Sequence, residues 1–317
     1  MRSSTLLLFA GTASIALACV AAEKTLTNVR GGTTTLASSK TNDLSRVDLI
    51  GMPDLVVDTQ ATQQHWVVRT EKLPYEFCSV QEGGVTPGLR RLIRFTVTTP
   101  NIGDADVYVG DPVKHMDPNG DGNQADADGM FEFASCHNHY HFKNYARYSL
   151  IERRPDGTDG RVWRTAKKGF CMLDTDPNPT STYSNEQPAG DRNFWACGTT
   201  TLPGFQGVSH GWADTYIFFL GGQYFVLDGG DGQDPVPPGN YWIEVTVNPA
   251  FAPAKRKGCT FATDSKGLCH NFAESNYDNN SMRALVTIGE NNGRSDPSGP
   301  EKNSKVYDYE PMKGPIQ

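Results

Sequence analysis

Apolar and polar residues alternate along several stretches of the chain. Ile93, Phe95 and Val97 fall on one side of an extended segment, with Arg94, Thr96 and Thr98 on the other. Tyr241, Ile243, Val245 and Val247 repeat the pattern against Trp242, Glu244 and Thr246. A period of two marks a half-buried strand, because successive side chains leave a pleated backbone on opposite faces. Asp54–Asp58, Trp66–Thr70, Tyr148–Glu152, Tyr216–Leu220, Tyr224–Leu227 and Leu285–Ile288 are further expected strands. Pro237, Pro238, Gly239 and Asn240 supply turn chemistry ahead of Tyr241. No stretch of about 12 residues keeps a clean helical period. The expected fold is mainly β: a single disulfide-bonded, β-sandwich-like domain with long loops and little helix.

Composition agrees with this picture. The 317 residues include 32 Gly and 20 Pro, which favours turns, and 37% hydrophobic residues, enough for a core. The formal net charge of −7 excludes a basic nucleic-acid footprint, so no nucleic-acid partner is expected. Residues 1–22 read as a secretory signal peptide. A basic start at Arg2 leads into the apolar, acid-free run Thr5–Val20, and small residues allow cleavage after Ala21 or Ala22. That run is shorter than the ~20 residues a membrane span needs. Ala16-Leu17-Ala18-Cys19 also resembles a bacterial lipoprotein cleavage box, which would put a lipid anchor at Cys19. Residues 23–47 read as a flexible leader and 291–317 as a disordered tail. Residues 48–290 then form one catalytic-sized domain without internal repeats.

Of the 7 cysteines, Cys19 lies in the leader, leaving Cys78, Cys136, Cys171, Cys197, Cys259 and Cys269. An even number in a secreted chain reads as disulfides, although the residues alone leave many connectivities open. No CxxC pair occurs, which argues against a zinc ribbon.

The densest chemistry lies in Ser135-Cys136-His137-Asn138-His139-Tyr140-His141. Three imidazoles at alternate positions of a strand face one way and suit copper, zinc, iron or nickel. The outer two would lie ~13 Å apart on a straight strand, so one shared ion requires a bend. A second candidate is the loop Asp117-Pro118-Asn119-Gly120-Asp121-Gly122 with Asp128 at the twelfth position. Asp117, Asn119, Asp121 and Asp128 follow the spacing of a calcium loop, with Asp in place of the final Glu and without the usual following helix. A third is Gly207-Val208-Ser209-His210-Gly211, which fits the nucleophile elbow of a serine hydrolase. That elbow needs a strand before it and a helix after it, and here a strand is expected to follow. A secreted copper- or zinc-binding module without oxidase turnover needs only the histidines.

Two more segments complete the pattern. Lys167-Lys168-Gly169-Phe170-Cys171-Met172-Leu173-Asp174-Thr175 resembles the segment that carries the cofactor lysine in the lysyl oxidase family. Gln206 through Tyr216 resembles the segment carrying its cofactor tyrosine, and the histidine triplet resembles its copper segment. Met52–Asp58, Pro238–Pro249 and Glu274–Asn280 resemble the start and end of the family's domain, so the likeness runs in order over about residues 50–290.

The resemblance implies a secreted, extracellular copper amine oxidase. Its substrates would be a primary amine, with lysine side chains of extracellular proteins among the candidates, together with dioxygen and water. Its products would be an aldehyde, ammonia and hydrogen peroxide. It implies that His137, His139 and His141 hold copper, and that Lys167 and Tyr216 form a lysine tyrosylquinone. The family's spacing to Phe-Cys selects Lys167 over Lys168. Asp214 would share a strand face with Tyr216 and is the candidate base. The family also implies a Cys136–Cys197 disulfide. Cys259 with Cys269 would close a short insertion, leaving Cys78 to Cys171. Two positions depart from the animal members, which carry histidine where Ala134 and Arg147 stand here.

Overall fold

The computed structural model of the protein describes residues 49–177, 192–252 and 262–293, together with two-residue strands at Leu26–Thr27, Thr33–Thr34 and Val306–Tyr307. The expected signal peptide and lipoprotein cysteine lie outside the described residues, as does Cys259.

Two sheets carry most of the core. In the first, Asp159–Arg164, Ala146–Arg153, Gly239–Val247 and Ser281–Ile288 lie side by side, each pair antiparallel. Gly239–Val247 buries alternate residues beginning with Tyr241, as its pattern predicts, and Ser281–Ile288 does the same from Met282. In the second, Tyr224–Val226, Gly88–Phe95 and Trp66–Leu73 are antiparallel neighbours, and Val306–Tyr307 runs parallel to Trp66–Leu73. Val68, Ile93, Phe95 and Phe225 of the second sheet share one hydrophobic cluster with Tyr148, Leu150, Ile243 and Val286 of the first. The Phe95 ring meets Tyr148 edge-on at 5.3 Å and stacks on Phe225 at 5.0 Å. Among the described residues the α-helices are Thr59–Gln64, Cys78–Gln81 and Pro112–Met116, so the mainly β expectation holds.

Two expected strands differ. Asp54–Asp58 contributes only a bridge from Leu55 to Asn101, and Asp58 instead caps helix Thr59–Gln64 by accepting from the Gln60 and Ala61 N–H groups. Tyr216 ends the strand Trp212–Tyr216 rather than starting one. The chain turns through Ile217–Leu220, where the Arg94 guanidinium binds the carbonyls of Phe218 and Leu220 at 3.2 and 3.0 Å.

The disulfides also differ from the family-derived pairing. Cys78 joins Cys136 and Cys171 joins Cys197, with Cα–Cα separations of 5.4 and 5.5 Å. Both separations are those of ordinary bridges. Cys136 therefore cannot pair with Cys197, nor Cys78 with Cys171. The reason is spatial: helix Cys78–Gln81 lies against the turn that opens the histidine segment, a neighbour that chain order does not reveal. Cys269 is also disulfide-bonded.

Candidate metal and cofactor site

Three smaller pieces meet to form the site. The hairpin Phe131–Ala134 with His139–Phe142 carries the histidines. Trp212–Tyr216, held between Asp176–Pro177 and Val97–Pro100, carries Asp214 and Tyr216. The Lys167 segment lies between them. On one side Phe142 bridges to Phe170, its N–H donating to the Phe170 carbonyl at 2.6 Å. On the other, the Tyr216 hydroxyl donates to the Cys171 carbonyl at 2.8 Å and accepts from the Cys171 N–H at 3.0 Å.

The histidines do not all lie on one strand face. His139 and His141 do, whereas His137 lies in the hairpin turn that precedes them. Asn138 between them has a φ of 56°, the left-handed conformation that asparagine tolerates better than most residues. That curl supplies the bend a straight strand lacks. The three rings lie 5.0–5.3 Å apart by centroid, and each offers a nitrogen within 4.8 Å of the others. Burial, and then the neighbouring His137, lowers His139 to about 3; burial, His139 and Lys167 lower His141 to about 2. Both are therefore neutral at pH 7, the form that binds a metal. His139 Nδ1 is buried without a hydrogen-bond partner. Three clustered imidazoles, two of them neutral, and an unpartnered nitrogen on His139 fit a borderline cation such as copper(II). Gly169 is required here, because a Cβ on it would lie 2.4 Å from His141 Nδ1.

Lys167 is half-buried and Lys168 exposed. Lys167 Nζ lies 4.7 Å from the centroid of the Tyr216 ring and 5.1 Å from that of Phe170. Phe170 stands edge-on to Tyr216 at 5.2 Å, and Tyr145 and Tyr148 pack against Phe170 at 5.4 and 5.5 Å. Tyr216 and Asp214 are fully buried. Burial raises the Asp214 carboxyl well above the carboxylate range, opposed in part by the nearby Tyr216 hydroxyl and Lys167. Neither Asp214 carboxylate oxygen has a hydrogen-bond partner. Burial, with Asp214 adding to it, likewise raises the Tyr216 phenol.

The remaining motif residues act as struts. Asp174 accepts from the Ser209 N–H and hydroxyl, each at 2.7 Å, and from the Asn193 and Phe194 N–H groups at 2.9 and 3.0 Å. Burial outweighs those donors and raises it to about 6. Gln206 donates to the carbonyls of Tyr140 and Cys197 and accepts from the Met172 N–H, joining the histidine hairpin to the Lys167 segment. Thr175 takes the Thr215 N–H and donates to the Ala213 carbonyl. Ser209 is thus a buried donor to Asp174, and a strand, Trp212–Tyr216, follows it; the nucleophile-elbow geometry is not met.

The calcium-loop residues are placed differently. Asp117 accepts from the Gly120, Asp121 and Gly122 N–H groups, and Asn119 from that of Asp121. Asp121 accepts from the Asn123 N–H. Asp128 turns away to His115, its Oδ2 2.6 Å from the ring Nδ1. Arg147 faces the opposite side of its strand from buried Tyr148, into a cavity of about 230 Å³ lined also by Asn248, His270 and Tyr277. Sequence reasoning missed Glu82, whose carboxylate lies 3.2 Å from His137 Nε2.

The lysyl oxidase family profile matches residues 53–258, and the chain belongs to that family. It is 27% identical to protein-lysine 6-oxidase of Rattus norvegicus over 212 residues, covering 63% of this chain and 42% of the relative. It is 29% identical to lysyl oxidase homolog 1 of Homo sapiens over 212 residues, covering 63% of this chain and 30% of the relative. The chain thus spans less than half the length of these relatives. No helix among the described residues is long and apolar enough to cross a membrane.

Proposed function

We propose that the protein is a secreted, copper-dependent primary-amine oxidase whose cofactor is a lysine tyrosylquinone made from its own Lys167 and Tyr216. The observation that carries this reading is Lys167 Nζ at 4.7 Å from the Tyr216 ring, on a segment bridged directly to the histidine hairpin. His137, His139 and His141 would hold the copper. With copper bound and the quinone formed, the site would supply an electrophilic carbonyl for a primary amine and an electron sink that passes two electrons to dioxygen.

The chain's own residues do the rest. The edge-on contacts of Phe170 and the two Cys171 bonds fix the Tyr216 ring in orientation. The Phe170, Tyr145 and Tyr148 rings exclude water around Lys167 and Tyr216. Asp214 is the base for the α-proton of the amine. Burial raises its pKa, and a carboxylate with a raised pKa is a stronger base once it has lost its proton. Peptidyl lysine is the proposed substrate, on the strength of the name protein-lysine 6-oxidase carried by relatives. Disulfides at Cys78–Cys136 and Cys171–Cys197 suit an oxidising, extracellular compartment.

Mass spectrometry of a digest after copper loading in air tests the reading. The expected result is one cross-linked species joining the Lys167 and Tyr216 peptides, absent from Lys167→Ala and Tyr216→Phe and retained in Lys168→Ala. Stoichiometric copper with separate, unmodified peptides and no peroxide release from a primary amine would identify a metal-binding module instead.

A further inference from the structure

Three buried polar side chains around the candidate site have no partner. Asp214 and Gln223 are 0% exposed and Tyr148 3%. Among the described residues, no hydrogen bond reaches either carboxylate oxygen of Asp214, either amide atom of Gln223 or the Tyr148 hydroxyl. The three come from different elements: Asp214 from Trp212–Tyr216, Tyr148 from Ala146–Arg153, and Gln223 from just ahead of Tyr224–Val226. Ring contacts tie those elements together. Phe95 meets Tyr148 edge-on and stacks on Phe225, two residues past Gln223. Tyr148 meets Phe170 at 5.5 Å, and Phe170 meets Tyr216 at 5.2 Å. Burial raises the Tyr148 phenol, the Gln223 amide opposes that rise and Asp214 adds to it, so the phenol senses both neighbours. Gln223 also follows directly on a contact with the lysine segment, since a Cβ on Gly222 would lie 3.4 Å from Lys167 Cα.

A buried polar group without a partner costs stability, and a cluster of them marks a place that something else completes. Four of the five unpaired atoms are oxygens able to accept, the fifth being the Gln223 amide nitrogen. A carboxylate or phosphate would set oxygen against oxygen there, whereas an amine head group offers N–H donors to the acceptors. Lys167 does not fill that role: its Nζ lies over the Tyr216 and Phe170 rings, and none of the five atoms bonds to it. The strand face that carries Asp214 and Tyr216 also carries half-buried Trp212, so it runs out toward solvent. We propose that Gln223 and Tyr148, with Asp214, form the pocket for the nitrogen of a primary-amine substrate: the Gln223 carbonyl and the Tyr148 oxygen accept its N–H groups and set its α-carbon beside Asp214. The inference rests on the amine-oxidase reading above and deepens it by naming the residues that hold the amine.

The first test needs no cofactor. The metal-free full chain in a Tyr216→Phe background is labelled at its glutamine amides for NMR, and Gln223→Met identifies the Gln223 side-chain signal. Titration with n-butylamine should move that signal, and n-butanol should not. A signal unmoved by the amine, or moved equally by the alcohol, would overturn the proposal. The second test uses the copper-loaded enzyme. Gln223→Met and Tyr148→Phe replace unpaired polar groups by apolar ones of similar shape, so folding should survive. Each should raise KM for n-butylamine roughly ten- to hundredfold, with kcat changed less. An unchanged KM in both variants would overturn the pocket, whatever happens to kcat. If Tyr148→Phe fails to fold, Gln223→Met carries the test alone. If the wild-type protein forms no Lys167–Tyr216 cross-link while the Gln223 signal still follows the amine, the oxidase reading is what has failed.

Discussion

Two acids lie deep in the protein and are treated in opposite ways. Glu71, 1% exposed, grips Arg94 through both oxygens at 2.7 Å, and the same guanidinium closes the turn after Tyr216. Asp214, 0% exposed, has no hydrogen bond to either oxygen. Burying a charge is costly unless it is paired, and an unpaired buried carboxyl holds its proton instead. The paired acid is a brace, and removing its partner should unfold the protein. The unpaired acid braces nothing, and proton transfer is the role proposed for it. Glu274 stands between them: Asn248 and Asn280 amides donate to it, yet no cation does, and burial raises it to about 8.

The largest effect should come from breaking the brace. Arg94→Met leaves the Glu71 carboxyl buried without its partner and should cost about 3–5 kcal/mol in denaturant unfolding. A loss below about 1 kcal/mol would mean that solvent reaches Glu71 after all.

Asp214→Asn should behave in the reverse way. An amide of the same shape replaces a carboxyl whose charged form burial disfavours, so the unfolding free energy should change by less than about 1 kcal/mol. Turnover of a primary amine should fall by roughly 10²-fold or more, as expected for loss of a general base. Destabilisation as large as that of Arg94→Met, with turnover intact, would make Asp214 a brace as well.

The intermediate case is read by pH. Glu274 has a folded pKa of about 8, raised from 4.5. A raised pKa gives stability that is fully present below the unfolded value and is lost as pH rises through the folded one. Between pH 6.5 and 9 the metal-free protein should lose about 2 kcal/mol from this group alone. His139 and His141 add a smaller slope of the opposite sign at the lower edge of that window, where their unfolded forms begin to take up protons, and none towards pH 9. Glu274→Gln should flatten that slope in thermal or denaturant unfolding. An equally steep slope in the variant would assign the loss to another group.

The sequence by itself determined the strands with an apolar face, the histidine triplet and the two segments that resemble the family's cofactor segments. These are local properties. Alternation in Tyr241–Val247 is set by the pleat, and His-x-His-x-His is a chemical inventory that no fold can alter. Choosing Lys167 over Lys168 came from family resemblance; the fold buries Lys167 further than Lys168. Tertiary structure alone decided which cysteines meet, because Cys78 and Cys136 are 58 residues apart in the chain and only the packing of a four-residue helix joins them. It alone placed Glu82 on His137, curled the triplet at Asn138 and left Asp214 without a donor. It also turned Asp174 and Gln206 into struts. Each of these depends on what lies opposite across a closed core, and the polarity of a residue records that it needs a partner without recording which one the fold will bring.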